Sequence, residues 1–120
     1  MIDDGRPIFL QIAEQIEGDV LDHTLAEETQ APSTNEIAAF YRINPATAAK
    51  GVNQLVADGV LYKKRGIGMF VSTGARQQLL AKRRREFAQE YVVPLVAQAE
   101  RLGIDDEELV TIIKQERSDQ

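Results

Sequence analysis

The side chains with the most chemistry to offer lie between Ser33 and Gly68. Ser33, Thr34 and Asn35 form one polar group, and Thr47 with Lys50 forms a second. Lys63-Lys64-Arg65-Gly66-Ile67-Gly68 sets cations beside glycines. None of these residues is a nucleophile with a neighbouring base, so the pattern argues against an enzyme. Cysteine is absent, which excludes disulfides, thiol chemistry and a zinc finger. The one histidine, His23, has Glu14, Asp19 and Asp22 nearby in sequence, but their spacing defines no metal site. Gly66-Ile67-Gly68 lacks the pattern of a nucleotide phosphate loop and its strand–helix setting. No cofactor is implied. Cations, hydroxyls and amides at these positions are suited to phosphate oxygens and base edges, which points to a duplex.

The net charge of -5 does not oppose this, because the charge is segregated. Residues 60–85 hold eight basic side chains and no acidic one. Residues 1–30 hold eight acidic side chains against Arg6, and residues 86–120 hold nine against three basic. Phosphate responds to the local potential. No apolar run approaches the eighteen or so residues of a membrane span. The acidic start, Met1 to Gly5, is unlike a signal peptide. A cytoplasmic protein is expected, with no membrane partner.

These groups need elements to hold them. Ile8, Ile12, Ile16, Val20 and Leu21, widened by Phe9 and Ala13, recur at helical spacing and predict a helix over 7–23. Residues 24–32 read as a connection with room for a very short strand. Ser33 with Glu36 fits a capping box, and a brief helix follows over 34–41, with Ile37, Ala38, Phe40 and Tyr41 as its apolar contacts. Asn44 and Pro45 open the next helix, and Asp58-Gly59 ends it. Two helices this short and this close are a helix-turn-helix. Val60-Leu61-Tyr62 and Met69-Phe70-Val71 read as a hairpin around the basic turn, forming a wing. Arg76 to Leu102 reads as one long helix, bent or split near Glu90 or Tyr91 by Pro94. Asp105 and Glu108 cap a last helix, expected to fray from Glu116. The expected fold is mainly α with a small β-hairpin. A winged helix-turn-helix over 1–73 is followed by a short C-terminal helical dimerisation region over 74–120.

On this frame the second helix of the pair enters a major groove by its N-terminal end. Its backbone N–H groups and dipole favour phosphate there. Thr47 and Lys50 point to the duplex, and Thr34 and Asn35 face outward from the supporting helix. Ser33 is first of all a cap. At the wing Lys63, Lys64 and Arg65 have reach, Gly66 and Gly68 keep the tip slim, and Arg65 suits a minor groove. Lys82-Arg83-Arg84-Arg85 fits either flanking phosphates or acidic groups of another subunit. Phe87, Tyr91, Leu95 and Leu102 present more apolar surface than an isolated helix keeps, and a second copy would bury it.

The order of these motifs resembles the GntR family of bacterial transcription regulators. The resemblance rests on Pro7-Ile8-Phe9-Leu10-Gln11-Ile12, Ala31 through Ala38, Asn44-Pro45-Ala46-Thr47-Ala48-Ala49-Lys50, Leu55 through Gly59, and Lys64 through Val71. The Asn-Pro-x-Thr start and the short C-terminal part look most like the YtrA-type subfamily. The resemblance implies a homodimeric repressor of a twofold-symmetric double-stranded DNA operator. It carries DNA-contact roles onto Ser33, Asn35, Thr47, Lys50, Arg65, Gly66 and Gly68. Many members have an arginine where this chain has Asn35, which shortens the reach there. An unknown small-molecule effector remains open as a further partner. The alternative reading is a winged-helix protein-interaction module that makes little use of the basic wing.

Overall fold

The computed structural model of the chain describes residues 5–120, so the acidic start at Met1 to Asp4 lies outside the described residues. The order is α1 (Ile8–Leu21), α2 (Thr34–Tyr41), α3 (Pro45–Ala57), β1 (Leu61–Lys64), β2 (Gly68–Val71), α4 (Ala75–Phe87), α5 (Val93–Arg101) and α6 (Asp106–Ser118). This is the mainly helical, winged architecture expected. The chain divides into two compact units, Met1–Ala81 and Lys82–Gln120.

In the first unit Pro7 stands just outside α1, and its carbonyl accepts from the N–H groups of Leu10 and Gln11. Ile12, Ala13, Ile16 and Val20 are buried as their spacing predicts. Ile8, expected in that stripe, is instead exposed. Gln11 is buried, and its Nε2 donates to the Arg6 carbonyl at 2.9 Å, which removes the cost of an unpaired amide.

The capping box of α2 forms in both directions. Ser33 Oγ accepts from Glu36 N–H at 3.1 Å, and Glu36 Oε1 accepts from Ser33 N–H at 2.9 Å. The helix stops where Arg42 turns left-handed (φ 56), which lets Ile43 N–H reach the Ala38 carbonyl at 3.0 Å. Ile37, Ala38 and half-buried Tyr41 take the inward side. Phe40 does not supply the expected core contact. It falls off that stripe and is 80% exposed, with its ring edge-on to Tyr41 at 4.9 Å.

Asn44 caps α3 by accepting from Ala46 N–H at 2.8 Å, with Pro45 in the first turn. Ala48, Val52 and Leu55 line its buried side, and so does Gly51. A Cβ on Gly51 would lie 2.9 Å from the Phe9 carbonyl oxygen, so the absence of a side chain permits α1 and α3 to pack this closely. Gly59 (φ 80) closes α3, with Val60 N–H on the Leu55 carbonyl at 2.9 Å and Gly59 N–H on Val56 at 3.0 Å.

β1 and β2 pair antiparallel from Leu61 opposite Val71 to Lys64 opposite Gly68. The strands reach nearer the tip than the apolar runs suggested, so Lys64 belongs to the ladder. The connection after α1 adds a third edge. Ala31 N–H donates to the Met69 carbonyl at 2.8 Å, Val71 N–H to Thr29 at 3.0 Å, and Gln30 bridges to Phe70. Leu61, Val71, Ala75 and Leu79 complete the core begun by α1, α2 and α3.

In the second unit a π-helical turn, Ala88–Val92, precedes α5. Pro94 has no N–H for the Glu90 carbonyl and its ring crowds that turn, so the wider turn sits where a break was expected. Gly103 (φ 69) ends α5, with Ile104 N–H on Ala99 at 2.9 Å. Asp105 caps α6 by accepting from Glu108 N–H at 2.9 Å. α6 runs past Glu116, where fraying is expected, to Ser118, whose Oγ donates to the Lys114 carbonyl.

Gly51→Val should lower stability by about 1–3 kcal/mol through overpacking against the Phe9 backbone. A urea midpoint equal to that of the wild type would show that α1 and α3 do not need this close approach.

Candidate nucleic-acid interface

The first turn of α3 is largely self-satisfied. Pro45 has no N–H, Ala46 N–H is taken by the Asn44 side chain, and Thr47 N–H donates to the Asn44 carbonyl at 2.9 Å. The expectation that these N–H groups meet phosphate is therefore revised. Attraction at this end must come from the helix dipole and from side chains. Thr47 is half-buried and Lys50 is exposed. The Lys50 ammonium lies 4.2 Å from the centre of the Phe9 ring, which holds a long side chain in one region.

At the start of α2, Ser33 is a cap, as its sequence setting suggested. Its N–H and hydroxyl hold the Glu36 carboxyl below the usual carboxylate range. Thr34 is half-buried and Asn35 exposed on the same first turn.

The wing gathers Lys64, Arg65, Gly66 and Gly68 within one turn. Ile67 N–H donates to the Lys64 carbonyl at 3.0 Å, and Gly66 (φ 78) occupies the position of that turn that demands a left-handed residue. Lys63 and Arg65 are exposed. Lys64 lies along the hairpin, with its ammonium 4.1 Å from the Phe70 ring centre. Part of its charge therefore serves the wing itself.

Residues that sequence reasoning missed hold this wing and the start of α4 in place. Gln30 Nε2 donates to the Ile67 carbonyl at 3.1 Å. A Cβ on Gly68 (φ 146) would meet that same Nε2 at 2.6 Å. Glu28, itself left-handed (φ 61), accepts from the hydroxyls of Tyr62 and Thr73. These hydroxyls, Thr73 first, draw its carboxyl below the ordinary range, and Glu28 in turn raises the Tyr62 phenol. Glu27 accepts from Gly74 N–H at 2.9 Å and Arg76 N–H at 3.1 Å, acting as a distant cap for α4. Those two N–H groups lower its carboxyl as well. Arg76, counted in the basic run, donates its Nε to the Leu21 carbonyl at 3.0 Å and so braces the end of α1. No signal local in sequence marks these pairings.

In the second unit Phe87 and Tyr91 are 58% and 59% exposed, with ring centres 5.5 Å apart. Leu95 and Leu102 are exposed too, and Ala99 is the buried residue of this unit. Lys82 and Arg83 are half-buried, while Arg84 and Arg85 are exposed. Among the described residues no cluster of His, Cys, Asp or Glu is arranged for a metal ion, and no helix is long and apolar enough to cross a membrane.

Residues 9–71 match the model of the bacterial regulatory proteins, gntR family. The chain is 27% identical over 115 residues to the HTH-type transcriptional repressor YtrA of Bacillus subtilis (strain 168), covering 96% of this chain and 88% of YtrA. The crystal structure of a GntR-family transcriptional regulator from Bacteroides thetaiotaomicron superposes with a TM-score of 0.83 at 34% identity, covering 94% of this chain and 99% of that one. The NTD of AraR, solved in complex with mutant ORR3, matches 58% of this chain and 100% of its own length, with a TM-score of 0.55 and 26% identity.

Both acidic braces are stronger in the folded state than in the unfolded one. Their carboxyl pKa values are lowered by folding, so the stabilisation is complete above the ordinary carboxylate range. It is lost as pH falls through the lowered values. Glu27→Ala and Glu28→Ala should each reduce the melting temperature at neutral pH, with the gap to wild type closing as pH falls through and below the ordinary carboxylate range. A gap that stays constant across that interval in circular-dichroism melts would rule out ionised braces.

Proposed function

The chain belongs to the gntR family of bacterial regulatory proteins and is a DNA-binding transcriptional regulator, not an enzyme; from that premise we propose that it is a homodimeric repressor acting on a palindromic operator in the cytoplasm. The observation that carries the reading is the wing. Its exposed Lys63 and Arg65 stand at a tip locked to the helical head by Gln30. Thr47 and Lys50 of α3 supply the major-groove contacts, with Ser33, Thr34 and Asn35 of α2 alongside. Lys64, Arg65, Gly66 and Gly68 bring the wing to the flanking minor groove. α3 offers no arginine for bidentate guanine contact, so positioning on phosphate carries much of the affinity.

Residues 74–120 act as the dimerisation region, joined through Phe87, Tyr91, Leu95 and Leu102. Their exposure in the single chain supports this role. Ala75 and Leu79, at the start of this stretch, are packed in the core of the reading head. The likeness to YtrA runs past the wing into the terminal helices, which supports placement in the YtrA-type subfamily. Repression then follows from occupancy: two reading heads on one face of the duplex exclude the polymerase. A small-molecule effector would relieve it by changing the disposition of the heads.

Lys50→Ala combined with Arg65→Ala should abolish binding to the operator at physiological salt in a gel shift, while light scattering still reports a dimer. Each lost phosphate contact should also flatten the logarithmic salt dependence by about 0.9. Undiminished binding by the double variant would place the reading surface elsewhere.

A further inference from the structure

Ile67 is an anomaly at the wing tip. It is an aliphatic residue 64% exposed to water, set between two glycines and two residues after the exposed Arg65. It takes no part in the core. Its backbone is already committed, with the N–H on the Lys64 carbonyl at 3.0 Å and its own carbonyl accepting from Gln30 Nε2 at 3.1 Å. Gln30 also fills the space where a side chain on Gly68 would stand. The tip is thus held from behind, and the sec-butyl group of Ile67 is what remains for it to present forward.

We propose that Ile67 is a specificity-determining residue that reads the floor of the minor groove by its lack of a hydrogen-bond acceptor, favouring A·T over G·C pairs beneath the wing. This rests on the reading of the wing as a duplex contact. The minor groove distinguishes these pairs chiefly by the exocyclic amino group of guanine. Against an aliphatic surface that amino group is buried without a partner, which is costly. An A·T pair has no such donor; the groove-floor acceptors lose water against an aliphatic group in either pair, so the difference between the pairs falls on the amino group. Arg65 and Lys63 supply sequence-independent attraction, so Ile67 supplies discrimination without having to supply grip.

The inference is tested with the full-length protein and an operator selected from a random duplex pool. Minor-groove footprinting first locates the base pairs beneath the wing. Those pairs are then made A·T, G·C or inosine·C in otherwise identical duplexes, since inosine is guanosine without the 2-amino group. The wild type should bind A·T and inosine·C alike, and G·C about tenfold more weakly. Ile67→Ser should reduce that discrimination to less than twofold, and Ile67→Val should keep it. Binding of inosine·C as weak as that of G·C would overturn the inference, as would full discrimination by Ile67→Ser. Arg65→Ala serves as the control on the wing itself and should weaken all three duplexes together. If Arg65→Ala changes none of them, the wing reading fails and the inference with it. If Arg65→Ala weakens all three while Ile67→Ser leaves the discrimination intact, only the role of Ile67 is overturned.

Discussion

A hairpin with strands of four residues is marginal in water by itself, and the wing stands because the connection after α1 closes upon it. Glu28 N–H donates to the Val71 carbonyl at 2.8 Å, Val71 N–H to Thr29, and Ala31 N–H to Met69. This third edge extends the two-stranded hairpin by an isolated bridge and ties it to the head. The same few residues carry side chains that reach further. Gln30 fastens the tip, Glu28 fastens β1 through Tyr62, and Glu27 caps the start of α4. A segment without helical or strand periodicity therefore fixes the wing and the exit from the reading head together. Its left-handed residues, His23 and Glu28, are the local strain accepted for that geometry.

The polar chemistry is divided between groups that hold the head together and groups left for a partner. Arg76 is spent on the end of α1, and Lys64 lies over Phe70. The N–H groups opening α3 are closed by Asn44. Among the described residues Asn35, Lys50, Lys63, Arg65 and the aliphatic tip at Ile67 are exposed. Such a set suits shape and potential better than a dense array of base-specific hydrogen bonds. The net charge of -5 is compatible with it because the charge is segregated, with eight basic side chains and no acidic one over residues 60–85.

Most element boundaries were legible because their causes are local. Ser33 with Glu36, Asn44 with Pro45, Asp58 with Gly59 and Asp105 with Glu108 act within one turn of chain. Pro94 likewise disturbs only the turn that precedes it. The positions of the residues proposed to touch DNA were legible to the level of their helix or turn. Their companions were not. Phe40 looked like a core residue because aromatic character says nothing of which side of a two-turn helix faces inward. Gly51 looked unremarkable because its reason for being glycine is the backbone of Phe9, far away in sequence.

By itself the sequence determined the helix-turn-helix, the hairpin, the break at Pro94 and the segregation of charge. These depend on spacing, capping and composition, which act over a few residues. Only the tertiary structure decided how tightly α1 meets α3, which cations are spent internally, and what holds the wing upright. Those depend on pairs separated by tens of residues, such as Glu28 with Thr73 or Gln30 with Ile67, and a linear pattern carries no record of which distant donors and acceptors will meet.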